Sequence, residues 1–176
     1  MKKKVKRDPS SRNKFHYGVS KKVVVGGTFD IFHQGHEALL KRAFGLGKVM
    51  IGLTSKAMAE KMKRRKVRDF KLRKKELENF IKKEFKQKPK IVKIENKFGL
   101  TLKEDFDYIV VSPKTYKTAV LINKKRQTRN KRPLKIVKIK FILAQDRKPI
   151  SSARILKGEI DKEGRLLKKN YQGRKA

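Results

Sequence analysis

Two of the three histidines in this sequence are placed to bind phosphate. They stand in the stretch 26–36, GGTFDIFHQGH, which follows a short β-branched run. Gly26 and Gly27 let the backbone turn sharply and approach a ligand, because no Cβ is in the way. Thr28 then offers a hydroxyl and an N–H to an anion. His33 and His36 lie where the next helix begins, so both the helix N-terminus and the two imidazoles favour phosphate.

A zinc site is the alternative reading of a histidine pair. Zinc requires third and fourth ligands of the Cys, His, Asp or Glu type. The chain has no Cys, and the one acid nearby is Asp30. Phosphate is therefore favoured, and we predict no protein-held metal. Mg²⁺ carried on nucleotide phosphates needs few protein ligands, so we expect it together with a nucleotide.

A second constellation near the end of the chain also suits phosphate. Residues 149–155 read PISSARI. Ser151 and Ser152 can cap a short helix and leave its first N–H groups free. Arg154 can bind phosphate oxygens through its forked guanidinium. A serine pair alone would predict only a helix cap, but together with the first turn it predicts a second phosphate cradle.

Strands alternate with helices along the chain. Expected strands are 23–25, 49–54, 91–94, 108–111 and 134–143, and expected helices are 36–44, 69–88, 112–130 and 151–157. In the helix after Ser112-Pro113, a buried stripe is expected at Tyr116, Ala119, Val120 and Asn123. This order predicts an α/β fold with a Rossmann-like, doubly wound, parallel five-stranded sheet. Ligands of such sheets bind beyond the carboxyl ends of the strands.

The composition excludes several classes of protein. No stretch reaches the roughly 18 apolar residues of a membrane span. The basic start runs into Asp8-Pro9 rather than an apolar segment, which is not the pattern of a secretory signal. A cytoplasmic protein is expected. We divide the chain into a basic flexible arm (1–20), a catalytic domain (21–161) and a basic tail (162–176).

The chain is strongly basic. It carries 52 Lys and Arg against 16 Asp and Glu, a net charge of +36. Much of the surplus lies in residues 61–93 and 124–148. These lysines can be read as solvated helix faces or as a surface that seeks anions. We predict nonspecific RNA binding at low salt as a side property.

The motifs resemble those of a known family. GTFD followed by HxGH, with ISSxR near the end, is similar to the nucleotidyltransferase superfamily. The set GGTFDxxHxGH, GLTS, VVSPxTY and PISSxRIxKGEID resembles the archaeal type of phosphopantetheine adenylyltransferase, over roughly residues 23–164. The resemblance implies transfer of AMP from ATP to 4′-phosphopantetheine, with Mg²⁺, giving dephospho-CoA and pyrophosphate. No covalent intermediate is implied.

The resemblance also assigns catalytic roles. Thr28 would orient the acceptor phosphate near the α-phosphorus, while His36 holds the developing charge and His33 assists. Lys61 is the candidate for the lysine that clamps the attacking phosphate, with Lys63 and Lys56 close by. Since His36 is expected at an exposed loop end, its replacement should change stability little.

Further residues are assigned to binding by the same resemblance. Those implied near the nucleotide are Gly26, Gly27, Phe29, Asn123, Arg126, Ser151, Ser152 and Arg154. Those implied to bind the acceptor substrate are Thr28, Lys61 and Arg73. Where the family usually has Thr or Ser after the serine pair, this chain has Ala153, which removes one hydroxyl donor and is expected to weaken ATP binding.

The sequence is also compatible with other functions. A cytidylyltransferase or an FAD synthetase of the same superfamily would typically end in a different motif, of the RTEGISTT type. A nucleic-acid-binding protein on an enzyme scaffold is favoured by the net charge of +36. The intact Thr28, His33, His36 and Arg154 favour an enzyme.

Overall fold

The structure, a computed structural model, describes residues 20–167. The predicted arm, residues 1–20, lies outside this range except for Ser20, and so does the part of the predicted tail beyond residue 167. No helix within residues 20–167 has the length and apolarity to cross a membrane.

Five parallel strands form one sheet, which confirms the predicted α/β, Rossmann-like fold. The strands are β1 (Lys22–Gly27), β2 (Lys48–Thr54), β3 (Lys90–Ile94), β4 (Tyr108–Val111) and β5 (Lys135–Lys138). Their spatial order is β3-β2-β1-β4-β5. The winding therefore reverses between β1 and β4, which is where a doubly wound sheet opens a crevice for ligands.

Five helices connect or follow the strands. They are α1 (Gln34–Phe44), α2 (Lys56–Lys63), α3 (Phe70–Phe85), α4 (Tyr116–Gln127) and α5 (Ser152–Leu156). The sequence reading missed α2, which is short and is capped by the Ser55 hydroxyl accepting from the Met58 N–H. α1 and α3 cover one face of the sheet and α4 covers the other, so that each face carries its own apolar core.

α4 differs from its predicted position. It begins at Tyr116, because residues 112–115 close a turn in which the Thr115 hydroxyl accepts from the Ser112 N–H at 3.1 Å. Pro113 lies in that turn rather than at the first helical position. Tyr116 is exposed, and the buried residues of the helix are Ala119, Ile122 and Arg126.

β5 is shorter than predicted, ending at Lys138 instead of residue 143. It lies at the edge of the sheet and pairs only with β4, which ends at Val111 and leaves the following residues without a strand to pair with. The chain then turns back on itself through an antiparallel bridge between Leu143 and Pro149.

The segment from residue 142 to residue 167 has a small core of its own. Ala144, Ile150 and Ile160 are buried together. The Lys162 carbonyl accepts from the Gln34 N–H at 3.2 Å, which ties this C-terminal segment to the start of α1. Backbone hydrogen bonds continue past residue 161, since the Leu167 N–H donates to the Glu159 carbonyl at 3.1 Å. The division of the chain at residue 161 stays a prediction.

Candidate active site

A cavity of about 560 Å³ lies at the carboxyl ends of β1, β2 and β4, where the winding of the sheet reverses. It is lined by both predicted phosphate-binding motifs, including Thr28, His33, His36, Ser151 and Ser152. The Ser152 hydroxyl donates to the Ile31 carbonyl at 3.3 Å and joins the two motifs directly. The fold thus brings together two segments that are far apart in the sequence.

Glycines keep the floor of this cavity open. Gly26 and Gly52 are partners in neighbouring strands, and both line the cavity. A Cβ on Gly26 would meet no atom within 4 Å, so a ligand can approach the backbone there. Gly27 has a different reason to be glycine, since a Cβ would lie 2.6 Å from the ring of Phe29.

Phe29 supports the site from beneath. It is 1% exposed and has a φ of 47°, in the left-handed region that a non-glycine residue seldom adopts. This backbone geometry folds the ring back over Gly27 and under His36, with the Phe29 and His36 ring centroids 5.0 Å apart. The structure therefore places Phe29 at the predicted nucleotide-binding turn as an apolar platform.

His33 has a defined role at the start of α1. It is the N-cap residue, and its Nδ1 accepts from the Gly35 N–H at 3.1 Å. Burial, with Lys114 and Lys63 nearby, lowers the pKa of His33 to about 4. The imidazole is therefore neutral at pH 7. Because Nδ1 accepts a hydrogen bond, the proton resides on Nε2, which is left as a donor.

His36 is more enclosed than the sequence suggested. Its ring stacks on His33 and packs beside Phe29 and Phe32, and its Nδ1 is buried without a hydrogen-bond partner among the described residues. Loss of solvation lowers its pKa well below the usual value, and His33 and Lys63 act in the same direction. The expectation of an exposed loop-end histidine was wrong, because aromatic side chains surround the ring.

The N–H groups at the start of α1 are already engaged. Gln34 donates to the Lys162 carbonyl, Gly35 donates to His33 Nδ1, and the His36 N–H donates to the His33 carbonyl at 2.8 Å. The sequence predicts instead that these N–H groups face the phosphate. In this arrangement, contact with a phosphate at this end of the cavity falls to the histidine side chains.

Lys63 acts electrostatically on both histidines. It lines the cavity, and partial desolvation together with Lys114 and Arg65 lowers its pKa. Lys61 is exposed on α2 and, within residues 20–167, is not among the cavity-lining side chains. Successive helical residues are separated by about 100° around the helix axis. Residues 61 and 63, which are two positions apart, therefore point to nearly opposite sides of α2. Of these two lysines, the structure therefore places Lys63 at the cavity.

Asp30 fastens the first motif to the chain beyond α2. Its carboxylate is 2% exposed and accepts from Arg65 Nη1 at 2.7 Å and from the Arg68 N–H at 3.0 Å. Burial raises the pKa of Asp30, but the hydrogen bonds from Arg65 and Arg68 outweigh it and hold the pKa below its usual value. With its oxygens engaged in this way, Asp30 supports the loop.

Arg73 lies beneath the site. It is fully buried, and its guanidinium donates to the backbone carbonyls of Thr28, Thr54 and Arg68 at 2.8–3.0 Å. The predicted substrate contact through Arg73 therefore becomes a contact with the backbone that carries Thr28. Arg73 is not among the described residues that line the cavity.

Arg154 is likewise engaged within the protein. Its Nε donates to Glu159 at 2.8 Å and its Nη2 donates to Asp146 at 2.6 Å. The two carboxylates therefore bind the guanidinium group that was predicted to bind phosphate. Ser151 and Ser152 do line the cavity, and the Ser151 hydroxyl accepts from the Arg154 N–H to cap α5. Arg154 thus holds the segment that presents the serine pair.

Asn123 and Arg126 lie away from the cavity among the described residues. The Asn123 side chain exchanges two hydrogen bonds with the backbone of Leu134, both at 2.9 Å. Arg126 is 1% exposed and donates to the carbonyls of Thr101 and Glu104. These contacts tie α4 to the residue before β5 and to the loop that carries Thr101 and Glu104. Neither side chain is among the described residues that line the cavity.

Part of the cavity was not foreseen from the sequence. An apolar wall is formed by Ile94, Phe98 and Leu100, and Thr54 closes the floor next to Thr28. Thr54 belongs to the GLTS motif, whose position after a strand was the available signal. Residues 95–101 carry no such signal, because only the tertiary structure folds them against the sheet.

Comparison with known proteins identifies the family. The cytidylyltransferase-like family model matches residues 24–158. A phosphopantetheine adenylyltransferase of Methanosarcina mazei is 46% identical over 152 residues, which are 84% of this chain and 97% of that protein. One of Archaeoglobus fulgidus is 44% identical over 83% of this chain and 99% of its own length. The chain belongs to the phosphopantetheine adenylyltransferase family.

Solved structures are similar to this chain in fold. An Archaeoglobus fulgidus protein, described as having unknown function, superposes with a TM-score of 0.65 at 42% identity, covering 67% of this chain and 88% of its own. A putative nicotinate-nucleotide adenylyltransferase of Vibrio parahaemolyticus has a TM-score of 0.53 at 15% identity, covering 82% and 83%. At that identity the second match shows the fold alone. Membership in the phosphopantetheine adenylyltransferase family makes this chain a nucleotidyltransferase.

Proposed function

We propose that this protein transfers AMP from ATP to 4′-phosphopantetheine, forming dephospho-CoA and pyrophosphate in coenzyme A synthesis. The observation that carries the proposal is the meeting of Thr28, the histidine pair and the Ser151-Ser152 turn around one cavity. Two phosphate-bearing substrates need two such groups of donors. The family names of the relatives supply the substrates.

The chemistry needs positioned donors more than a nucleophilic side chain. An oxygen of the acceptor phosphate attacks the α-phosphorus of ATP, and the bond from that phosphorus to the oxygen bridging to the β-phosphorus breaks. Pyrophosphate leaves with the bonding electrons. Thr28 and Lys63 hold the attacking phosphate, while His33 Nε2–H and His36 donate to the oxygens on which negative charge grows.

The neutral state of the histidines suits this role. At pH 7 each has a pKa below the ambient pH, so each acts as a hydrogen-bond donor without an equilibrium between charged and neutral forms. The positive charge comes from lysines, including Lys63 and Lys114 at the cavity rim. In this arrangement the lysines neutralise the charge that the phosphates carry throughout the reaction. The neutral histidines donate to the oxygens whose negative charge grows in the transition state.

The apolar wall suits the remainder of the acceptor. The pantetheine arm is long and uncharged, and Ile94, Phe98 and Leu100 offer it an apolar surface beside the Thr28 end of the cavity. Cavities that bind such ligands combine apolar walls with a few polar anchors. The serine turn on the other side is then left for the ATP phosphates.

Mg²⁺ enters this proposal as part of the MgATP substrate. Within the described residues there is no group of three or more His, Cys, Asp or Glu side chains that could hold a metal ion. Asp30, the carboxylate within the first motif, accepts hydrogen bonds from Arg65 and Arg68. An ion bound mainly by phosphate oxygens and water needs few protein ligands.

One assay tests the proposal directly. Purified protein is given ATP, Mg²⁺ and 4′-phosphopantetheine, and dephospho-CoA is measured together with pyrophosphate. Parallel reactions contain CTP with choline phosphate or glycerol 3-phosphate, and ATP with FMN. Dephospho-CoA formation supports the proposal, whereas turnover only with CTP or FMN would assign the chain to a cytidylyltransferase or an FAD synthetase instead.

Nonspecific RNA binding stays a prediction beside the enzymatic proposal. Its support in the structure is a row of exposed lysines on the outer face of α3, at Lys71, Lys75 and Lys82, followed by the exposed Lys86 at the C-cap of the helix. The first three are four and seven residues apart, so they share one side of the helix. A cytoplasmic location and the roles assigned to residues 1–20 and 162–176 are also still predictions.

A further inference from the structure

The ends of β1 and β2 are joined under the cavity by a single side chain. Arg73 Nη1 donates to the Thr28 carbonyl at 2.8 Å, and both of its terminal nitrogens donate to the Thr54 carbonyl at 3.0 Å. Arg73 Nε donates to the Arg68 carbonyl at 2.9 Å. A fully buried guanidinium with these four bonds fixes the separation of the two strand ends, because its donors form a rigid planar fork.

This clamp brings the two threonine hydroxyls together. Thr54 Oγ1 donates to Thr28 Oγ1 at 3.4 Å. Thr54 is 3% exposed, whereas Thr28 is partly open to the cavity. A hydroxyl has one proton and two lone pairs. Since Thr54 donates to a lone pair of Thr28, the Thr28 proton remains available, and it has no acceptor among the described residues.

We infer that Thr54 is a positioning residue that orients the Thr28 hydroxyl, so that its proton faces the phosphate of the acceptor. The oxygen–oxygen distance is long. It fits a hydrogen bond that shortens when Thr28 donates its proton to a bound ligand, since catalytic hydrogen bonds are often loose before substrate binds. Arg73 sets the geometry through the backbone, and Thr54 sets the direction of the proton. This inference rests on the proposed function for its kinetic readout.

The test compares Thr54→Val, Thr54→Ser, Thr28→Val and the double variant Thr28→Val/Thr54→Val. Thr54→Val keeps the shape of the side chain and removes the donor, and we expect kcat to fall about tenfold with little change in the KM for ATP. Thr54→Ser keeps the donor and should restore most of the rate. Thr128→Val, at the exposed C-terminus of α4, is the matched control.

The double variant separates orientation from a structural effect. If Thr54 acts through Thr28, adding Thr54→Val to Thr28→Val causes no further loss. Independent, multiplicative losses, an unchanged kcat in Thr54→Val, or equal impairment in Thr54→Ser would each overturn the inference. Thermal unfolding of every variant shows whether the fold is retained, and Thr54→Ala replaces Thr54→Val if that variant does not fold.

A binding measurement keeps this result separate from the proposed function. Inorganic phosphate is titrated into each variant and followed by calorimetry, which requires no turnover. We expect Thr28→Val and Thr54→Val to weaken phosphate binding by similar factors and the double variant to weaken it no further. Additive weakening contradicts the inference, whereas a wild-type protein that binds phosphate but forms no dephospho-CoA contradicts only the proposed function.

Discussion

The imidazole rings of His33 and His36 stack with their centroids 3.9 Å apart in the lining of the cavity. Burial disfavours protonation of both rings and lowers the pKa of each. For His36 the adjacent His33 acts in the same direction, because a charge on one ring raises the cost of a charge on the other. The pair therefore forms two adjacent neutral donors on the floor of an otherwise cationic site.

Replacement of His36 by Phe should separate catalysis from packing. The phenyl ring can retain the contacts with Phe29 and Phe32, and it removes the unpartnered Nδ1. We expect kcat to fall by about 100-fold or more, as for other lost donors to transition-state charge. Thermal unfolding should show stability equal to or above that of the wild type. His36→Ala should lose the same activity and also be destabilised, and an active His36→Phe variant would exclude a donor role.

Stability should depend on pH through the same histidines. The folded pKa of His33 is about 4, below the 6.5 of the free side chain, and that of His36 is also lowered. Between these values the unfolded chain binds more protons than the folded one, so folding stability is fully present above about pH 6.5 and is lost as the pH falls toward 4. The loss from His33 amounts to roughly 3 kcal/mol.

Urea unfolding at several pH values measures this dependence. A His33→Asn variant should show a shallower decline between pH 6.5 and pH 4, since the amide does not titrate. Its side-chain oxygen can still cap α1, which makes it a suitable comparison. A wild-type stability that stays constant over this range would contradict neutral histidines in the folded state.

Lys63 and Lys61 form a matched pair on one helix. Only the first lines the cavity, although both are exposed lysines on α2. We expect Lys63→Met to lower kcat/KM for 4′-phosphopantetheine by about 100-fold, because a clamp on the attacking phosphate is lost. Lys61→Met should stay within about twofold of the wild type, the scale of a small surface electrostatic change. Steady-state kinetics with varied acceptor measures both, and the reverse order would restore Lys61 to the role that the sequence suggested.

Arg154 should act on ATP binding through the segment that it holds. Arg154→Ala and Asp146→Asn each break the same ion pair, so both are expected to raise the KM for ATP several-fold and to lower the melting temperature. Arg165→Ala is the control, because it removes ion pairs with Asp161 and Glu163 that are more exposed than those of Arg154. If Arg154 instead contacted phosphate directly, Asp146→Asn would leave the KM unchanged or reduce it.

The lysine row on α3 should bind RNA in a salt-dependent manner. Nonspecific affinity is expected to fall by orders of magnitude between about 50 and 200 mM salt, whereas adenylyl transfer survives better because fixed donors hold its phosphates. Changing Lys71, Lys75, Lys82 and Lys86 to Glu should weaken RNA binding and spare turnover. Fluorescence anisotropy with a labelled RNA and the dephospho-CoA assay can be run on one sample. RNA affinity that is sequence-selective and resists salt, without turnover, would favour the RNA-binding reading.

The sequence by itself determined the sheet and the place of the chemistry. Apolar runs such as Val23–Val25 and Tyr108–Val111, separated by amphipathic helices, predicted parallel strands because these patterns are local and periodic. The glycine turn, Thr28 and the two histidines could be placed for the same reason, since they follow a strand directly. Their location at the carboxyl end of the sheet followed from the topology.

Tertiary structure alone decided which long polar side chains reach the cavity. Arg73, Arg126 and Arg154 have the chemistry to bind phosphate, yet each is engaged by carbonyl or carboxylate oxygens elsewhere in the fold. Lys63 was distinguished from Lys61 only by the rotation of α2. A long side chain has several possible partners within its reach, and the packing of distant segments determines which of them it meets. Sequence spacing therefore determined the motifs at the strand ends, while long-range packing decided how these arginines and lysines are used.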